Sequence, residues 1–256
     1  MSRRSFVLLG LGGLSLLGGL TGALVLLGFG KGAPFGRLGA AHGVLMVLGF
    51  LGTMIALERA VALGRPWGFL APLATGLGAL ALMVGAPSTV AAALFLAGGA
   101  VLCAMYVRFE QLQPELHIHI QALGVVAWPI AVVLWLSGRP VSDLVPWLTA
   151  FLVLVIAGER LELSRLGDLP ARARLAFVGA VAILVGGVAL TVGAPDLGAR
   201  AAGIGLVLVA GWLATHDLAR RTVRMTGVTR YIALCLLVGY AWLAIGGVLW
   251  VVGGAA

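Results

Sequence analysis

The segment Ala40–Arg65 reads AAHGVLMVLGFLGTMIALERAVALGR, and no charged side chain falls between His42 and Glu58. An apolar helix of about 20 residues, rising 1.5 Å per residue, is long enough to cross a hydrocarbon layer about 30 Å thick. This segment is therefore a membrane-spanning helix with a histidine near one end and the adjacent pair Glu58–Arg59 at the other. Neutral histidine is a ligand for metals and haem iron. Ionisable groups at membrane depth are costly enough to be functional candidates.

The remainder of the chain repeats this pattern. Of its 256 residues 61% are hydrophobic and 10% charged, where a soluble domain carries about 45–50% and about 25%; the mean hydropathy is +1.12. Nine apolar runs follow, at Phe6–Phe29, Leu38–Ala62, Phe69–Gly85, Thr89–Val107, His117–Leu136, Leu144–Gly158, Ala173–Val192, Ala199–Thr215 and Thr229–Val252. Short connections such as GAPS, SGRPVSDLVP and GAPDLGAR join them and carry the Gly and Pro that turns require. The expected fold is an all-α polytopic transmembrane bundle of about nine helices, one domain over residues 1–256, with the lipid bilayer as its principal partner.

The net charge of +8 belongs to topology and not to nucleic acid. With a cytoplasmic N-terminus, Lys31, Arg37, Arg139 and Arg200 fall outside and the other thirteen of the 17 basic residues fall inside. The excess of Lys and Arg in inner loops sets orientation, so the N-terminus is expected inside and the C-terminus outside the membrane. The opening MSRRSFVLLGLGG resembles a twin-arginine export signal. Its apolar run is longer than an ordinary signal core and lacks a small-x-small cleavage site, so it reads as a retained first helix.

An internal repeat is visible. GALALMVGAP (Gly78–Pro87) returns as GGVALTVGAP (Gly186–Pro195), identical at seven of ten positions, and ALERA (Ala56–Ala60) returns as AGERL (Ala157–Leu161). Both matches keep their place relative to the spans. Residues of about 6–110 then form one four-helix unit, about 115–224 a second, and about 229–253 an extra helix; units with an even number of helices share one orientation. Glycine occupies 39 of 256 positions, about twice its ordinary share of about 7%. The spacing of Gly18 and Gly22 suits close helix contact, and Pro129 should kink the fifth span. Cys103 and Cys235, both inside apolar runs, read as buried, reduced packing residues.

Histidine, glutamate and arginine supply the candidate chemistry. His42 sits near the outer surface, with Met46 one turn later on the same face. It is either a ligand or an interfacial histidine bonded to a backbone carbonyl. His117 and His119, at i and i+2, face different sides of a helix and read as interfacial. His216-Asp217 with Arg220, Arg221 and Arg224 forms a basic inner rim that can attract anionic headgroups. Glu58–Arg59 and Glu159–Arg160 recur at matching inner ends and are either interfacial salt bridges or the mouth of an ion path; Glu162 and Arg165 extend the second cluster. Phosphate-binding, nucleophile-elbow, zinc-protease and dinucleotide motifs are absent from the sequence, and no catalytic constellation is found.

The helix motif HGVLMVLGFLGTMIALERAVALG (His42–Gly64), together with WLTAFLVLVIAGERLELSRL (Trp147–Leu166) and DLARRTVR (Asp217–Arg224), resembles membrane proteins related to the NnrS family. That family is associated with nitric-oxide stress, binds haem and copper, and is similar to the catalytic subunit of haem-copper oxidases. The resemblance implies arcs of four helices, with the third unit incomplete in this chain, and an axial haem ligand at the outer end of helix two, which His42 matches. Where the oxidases place a copper ligand, at the outer start of helix six, this sequence has Pro146-Trp147. The resemblance thus implies a haem b-associated, non-catalytic protein in respiratory or nitric-oxide metabolism. Its second iron ligand would come from another chain, further helices or water. A transporter with a path between the repeats, lined by Glu58, Arg59, Glu159 and Arg160, and a structural subunit of a membrane complex are the alternative readings.

The topology has a direct test. In a cysteine-free background, Ala41→Cys should react with an impermeant maleimide from outside the cell and Ala62→Cys only after permeabilisation. Reaction of both from one side would overturn the assigned crossing of this helix.

Overall fold

The computed structural model describes residues 3–29, 36–164 and 169–255. Lys31 and Arg165, assigned above to opposite sides of the membrane, lie outside them. The described residues are helical with short connections and contain no β-strand. In chain order the helices are α1 (Arg3–Leu26), α2 (Gly36–Val44), a π-helical stretch (Leu45–Gly52), α3 (Thr53–Leu63), a 3-10 turn (Pro66–Phe69), α4 (Leu70–Val84), α5 (Ser88–Leu112), α6 (Leu116–Leu136), α7 (Val141–Ser164), α8 (Ala171–Leu190), α9 (Pro195–His216), α10 (Ala219–Thr222) and α11 (Gly227–Gly253).

Nine helical segments among the described residues are long and apolar enough to cross a membrane, with α2, the π-helical stretch and α3 joined into one of them, Gly36–Leu63. Their large apolar side chains face outward: Leu175 is 74% exposed, Val228 73% and Trp242 68%. Exposed apolar surface on this scale requires a non-aqueous neighbour, and lipid supplies it. The chain is an integral, multi-pass, all-α membrane protein. Hydropathy ends the sixth span at Gly158, whereas α7 continues to Ser164. Hydropathy reports where side chains prefer lipid, and the helix carries Glu159, Arg160 and Glu162 past that point without a break in backbone pairing.

The residues pack as two units, Met1–Pro114 with Val125–Leu148, and Glu115–Gly124 with Thr149–Ala256. In the first unit α1 lies along the second span, and small residues set the contact. A Cβ on Gly22 would strike the Leu38 carbonyl, and one on Gly19 would come 2.6 Å from the Met46 sulfur. The π-helical stretch changes the carbonyl ladder from i→i+4 towards i→i+5 pairing. There the fully buried Ser15 hydroxyl donates to the Leu45 carbonyl at 2.9 Å. Gly49 makes room for it, since a Cβ at 49 would fall on the Ser15 oxygen.

A second interruption is Pro129 in α6, which lacks the N–H that the Val125 carbonyl would otherwise accept. The Cys103 thiol of α5 points at that carbonyl, 3.8 Å away. Beside it the fully buried Trp128 donates Nε1–H to the Phe95 carbonyl at 3.1 Å, its ring seated on Gly52 and Gly99. Thr53 and Thr75 share a buried contact of 2.8 Å between hydroxyls. Thr75 directs its single proton at the carbonyls of Ala71 and Pro72, so Thr53 is the donor in that pair. Cys103 is half-buried, while Cys235 is exposed, contrary to the reading of both as buried packing residues.

In the second unit glycines again bring backbones together. Gly203 of α9 and Gly247 of α11 face each other so closely that a Cβ on either would press on the other's carbonyl oxygen. Between α8 and α9, a Cβ on Gly187 would strike the Ala202 backbone, and one on Gly205 the Leu184 backbone. Trp212 of α9 donates Nε1–H to the Ala173 carbonyl at 2.8 Å and packs on Phe177 with ring centroids 4.4 Å apart.

The α1 contact makes a quantitative expectation. Gly49→Val should destabilise the folded protein by about 1–3 kcal/mol through overpacking. Ser15→Ala, which removes one intramembrane hydrogen bond, should cost about 0.6 kcal/mol. Unfolding in mixed micelles, followed by circular dichroism, checks both, and unchanged midpoints in the two variants would show that the π-helical stretch does not depend on this contact.

Candidate functional site

His42 sits on α2, half-buried, just before the π-helical stretch. Its Nδ1 lies 2.8 Å from the Gly19 carbonyl of α1. A carbonyl oxygen only accepts, so Nδ1 carries the proton, and in the neutral ring Nε2 holds the lone pair. The ring is thereby fixed in one tautomer and one orientation. The start of α7 approaches this end of the helix, with Val141 3.8 Å from where a Gly43 Cβ would stand. In the same unit the indole N–H of Trp147 is buried and has no hydrogen-bond partner among the described residues.

Glu58 and Arg59 pair with each other at 3.2 Å, with side chains 64% and 14% exposed respectively. The carboxylate thus lies at the surface and the guanidinium is the more enclosed partner. Glu159 and Arg160 are both half-buried on α7, and the Ser164 hydroxyl donates to the Arg160 carbonyl at 2.7 Å.

Two polar contacts in the second unit are not legible as pairs in the sequence. His117 is only 2% exposed, and its Nε2 stands 3.7 Å from the Glu162 carboxylate of α7. Fully buried Gln121 lies one turn further along α6, over Gly158. His119, by contrast, is exposed, so the i and i+2 histidines do face opposite ways. His117 is nevertheless buried where an interfacial residue was expected. Its signal in the sequence is the four-residue step from His117 to Gln121, which puts both on one helix face.

The second contact joins Asp217 and Tyr240. Both are buried, 3% and 5% exposed, and the Tyr240 hydroxyl of α11 donates to the Asp217 carboxylate. The Ala219 amide approaches the same carboxylate at 3.4 Å. Asp217 is therefore a buried anchor for α11 and not part of an exposed rim. His216 beside it is exposed and stacks on Trp212, with rings 4.8 Å apart and inclined by 14°. The local sequence offers an Asp two residues before a helical turn, an ordinary turn signal; the tyrosine partner comes from tertiary packing.

Among the described residues no three His, Cys, Asp or Glu side chains gather as a metal site. Residues 4–256 match a family model described as a domain of unknown function (DUF8744). No curated protein and no solved structure matches the chain.

The Asp217 contact can be checked by substitution. Tyr240→Phe should lower stability by about 1–3 kcal/mol, because it leaves a buried carboxylate short of a donor. Tyr231→Phe, at a residue 69% exposed, should change little. Equal unfolding midpoints for the two variants would show that the contact contributes nothing.

Proposed function

The chain belongs to the DUF8744 family, described as a domain of unknown function; we propose, from the resemblance of its helix motifs and the setting of His42, that it is a haem-associated, non-catalytic membrane protein of respiratory or nitric-oxide-related metabolism, related to the NnrS-like proteins. His42 is the proposed axial ligand of haem b. The observation that carries this reading is that the His42 Nδ1 bond to the Gly19 carbonyl at 2.8 Å, which an interfacial histidine would share, leaves Nε2 with its lone pair for a metal. Ligating histidines use such a bond on one ring nitrogen to orient the other towards the metal. The π-helical stretch Leu45–Gly52 beside it adds weight, since such distortions recur at functional sites.

His42 is the only histidine in the first unit, and its imidazole would hold the haem. When bound, the haem would supply an iron able to take up a small ligand. The protein's own contribution is to hold the imidazole through Gly19 and to surround it with apolar helices. Pro146-Trp147 provides no histidine for an adjoining copper, which favours binding over reduction of a gas. The arginine asymmetry favours an inside N-terminus, and the NnrS-like resemblance favours a bacterial inner membrane. A transport path gains less from the geometry, because the Glu58 carboxylate is exposed and bonded to its own neighbour.

Purified full-length protein from haem-replete cells should show a Soret band that is lost in His42→Ala and retained in Glu58→Gln. A fully helical but colourless preparation, or a band unchanged by His42→Ala, would overturn the proposal.

A further inference from the structure

Where α7, α9 and α10 end on the arginine-rich side, the second unit encloses a cavity of about 420 Å3. Its polar lining is Ser164, Thr215, His216, Asp217 and the three arginines 220, 221 and 224, and its wall includes Leu163, Leu169 and Leu218. The charge here is unbalanced. Asp217 is the cavity's one acidic residue among the described residues, and its carboxylate is engaged by the Tyr240 hydroxyl and approached by the Ala219 amide. Arg220 directs one N–H to the Thr215 carbonyl at 3.1 Å. Arg221 and Arg224, both exposed, have no ion-pair or hydrogen-bond partner for their side chains among the described residues. They stand three apart on a turn closed by the Arg224 amide and the Arg221 carbonyl, 3.2 Å apart.

Free guanidinium forks around a concave site suit an oxyanion with several acceptor atoms. Phosphate offers more of these than a carboxylate and is matched by arginine in bidentate fashion. The imidazole of His216 is held at Nδ1 by Thr215 and the Trp212 carbonyl, so its Nε2 is an acceptor in the neutral ring and the donors to an oxyanion are the arginines. We propose that this cavity binds a phosphate group, borne by an anionic phospholipid or by a soluble phosphate compound, with Arg221 and Arg224 as its principal contacts. The apolar wall accommodates the part of the ligand next to the phosphate. This inference is independent of haem at His42, which lies in the other unit.

The test uses the full chain in detergent, titrated with dihexanoyl phosphatidylglycerol, dihexanoyl phosphatidylcholine and inorganic pyrophosphate, with tryptophan fluorescence as the readout. Saturable binding of phosphatidylglycerol alone identifies a lipid-borne phosphate; binding of pyrophosphate, with or without the lipid, identifies a soluble source. In either case Arg221→Gln/Arg224→Gln should weaken binding about ten-fold or more. Arg172→Gln/Arg174→Gln, which removes equal charge from exposed positions outside the cavity, should leave it within about two-fold. Arg221→Lys/Arg224→Lys keeps the charge without the fork and should fall between, and it serves if the glutamine pair loses helicity. The proposal fails if neither anion saturates, if phosphatidylcholine binds as well as phosphatidylglycerol while pyrophosphate does not bind, or if the two glutamine pairs behave alike.

Discussion

Within lipid, no water is at hand to complete an unsatisfied backbone group, and each such group costs several kcal/mol. Regular helix meets this demand without help. Where this chain departs from regular helix, a side chain from a neighbouring helix supplies a donor. Ser15 serves the Leu45 carbonyl at the π-helical stretch, and Cys103 points to the Val125 carbonyl that Pro129 leaves open. Trp128 adds a further link between helices, to the Phe95 carbonyl within regular α5. These contacts decide which helices must be adjacent in the first unit, because each irregularity needs its own donor at hand.

Glycine makes that adjacency sterically available. Apolar side chains gain little by leaving lipid for one another, so helices associate through close contact and interhelical hydrogen bonds. Ser15 reaches Leu45 because Gly49 has no Cβ in its way, and Trp128 is seated because Gly52 and Gly99 lack one. In the second unit Gly203 and Gly247 bring α9 against α11, where Tyr240 reaches Asp217. Packing and polar satisfaction are here one arrangement: removing the small residue separates the donor from its acceptor.

The polar groups left over differ in kind between the two units. The first has a single histidine whose ring is held by a backbone carbonyl, an arrangement suited to presenting one nitrogen. The second has a buried carboxylate already committed to a tyrosine, with uncommitted guanidinium groups next to it. Because Asp217 is taken, the neighbouring arginines keep their positive charge available to an external anion.

Composition and periodicity by themselves determined the all-α class, the nine apolar runs and the burial of segments such as Ala40–Arg65, because transfer into lipid depends on side-chain polarity summed over about 20 residues. His42, Glu58 and Arg221 were legible as candidates for the same reason: a charged or ligating group stands out in an apolar background. Partners were not legible. The residues that bond across helices, such as Ser15 with Leu45, His117 with Glu162 and Asp217 with Tyr240, are far apart in sequence, and no local pattern records which helix faces which. Only the tertiary structure decided that His42 is braced by Gly19 and that Asp217 is buried while Arg221 and Arg224 have no side-chain partner among the described residues. The physical reason is that hydropathy measures preference for lipid, whereas hydrogen bonds and glycine contacts depend on side chains meeting within a few ångströms.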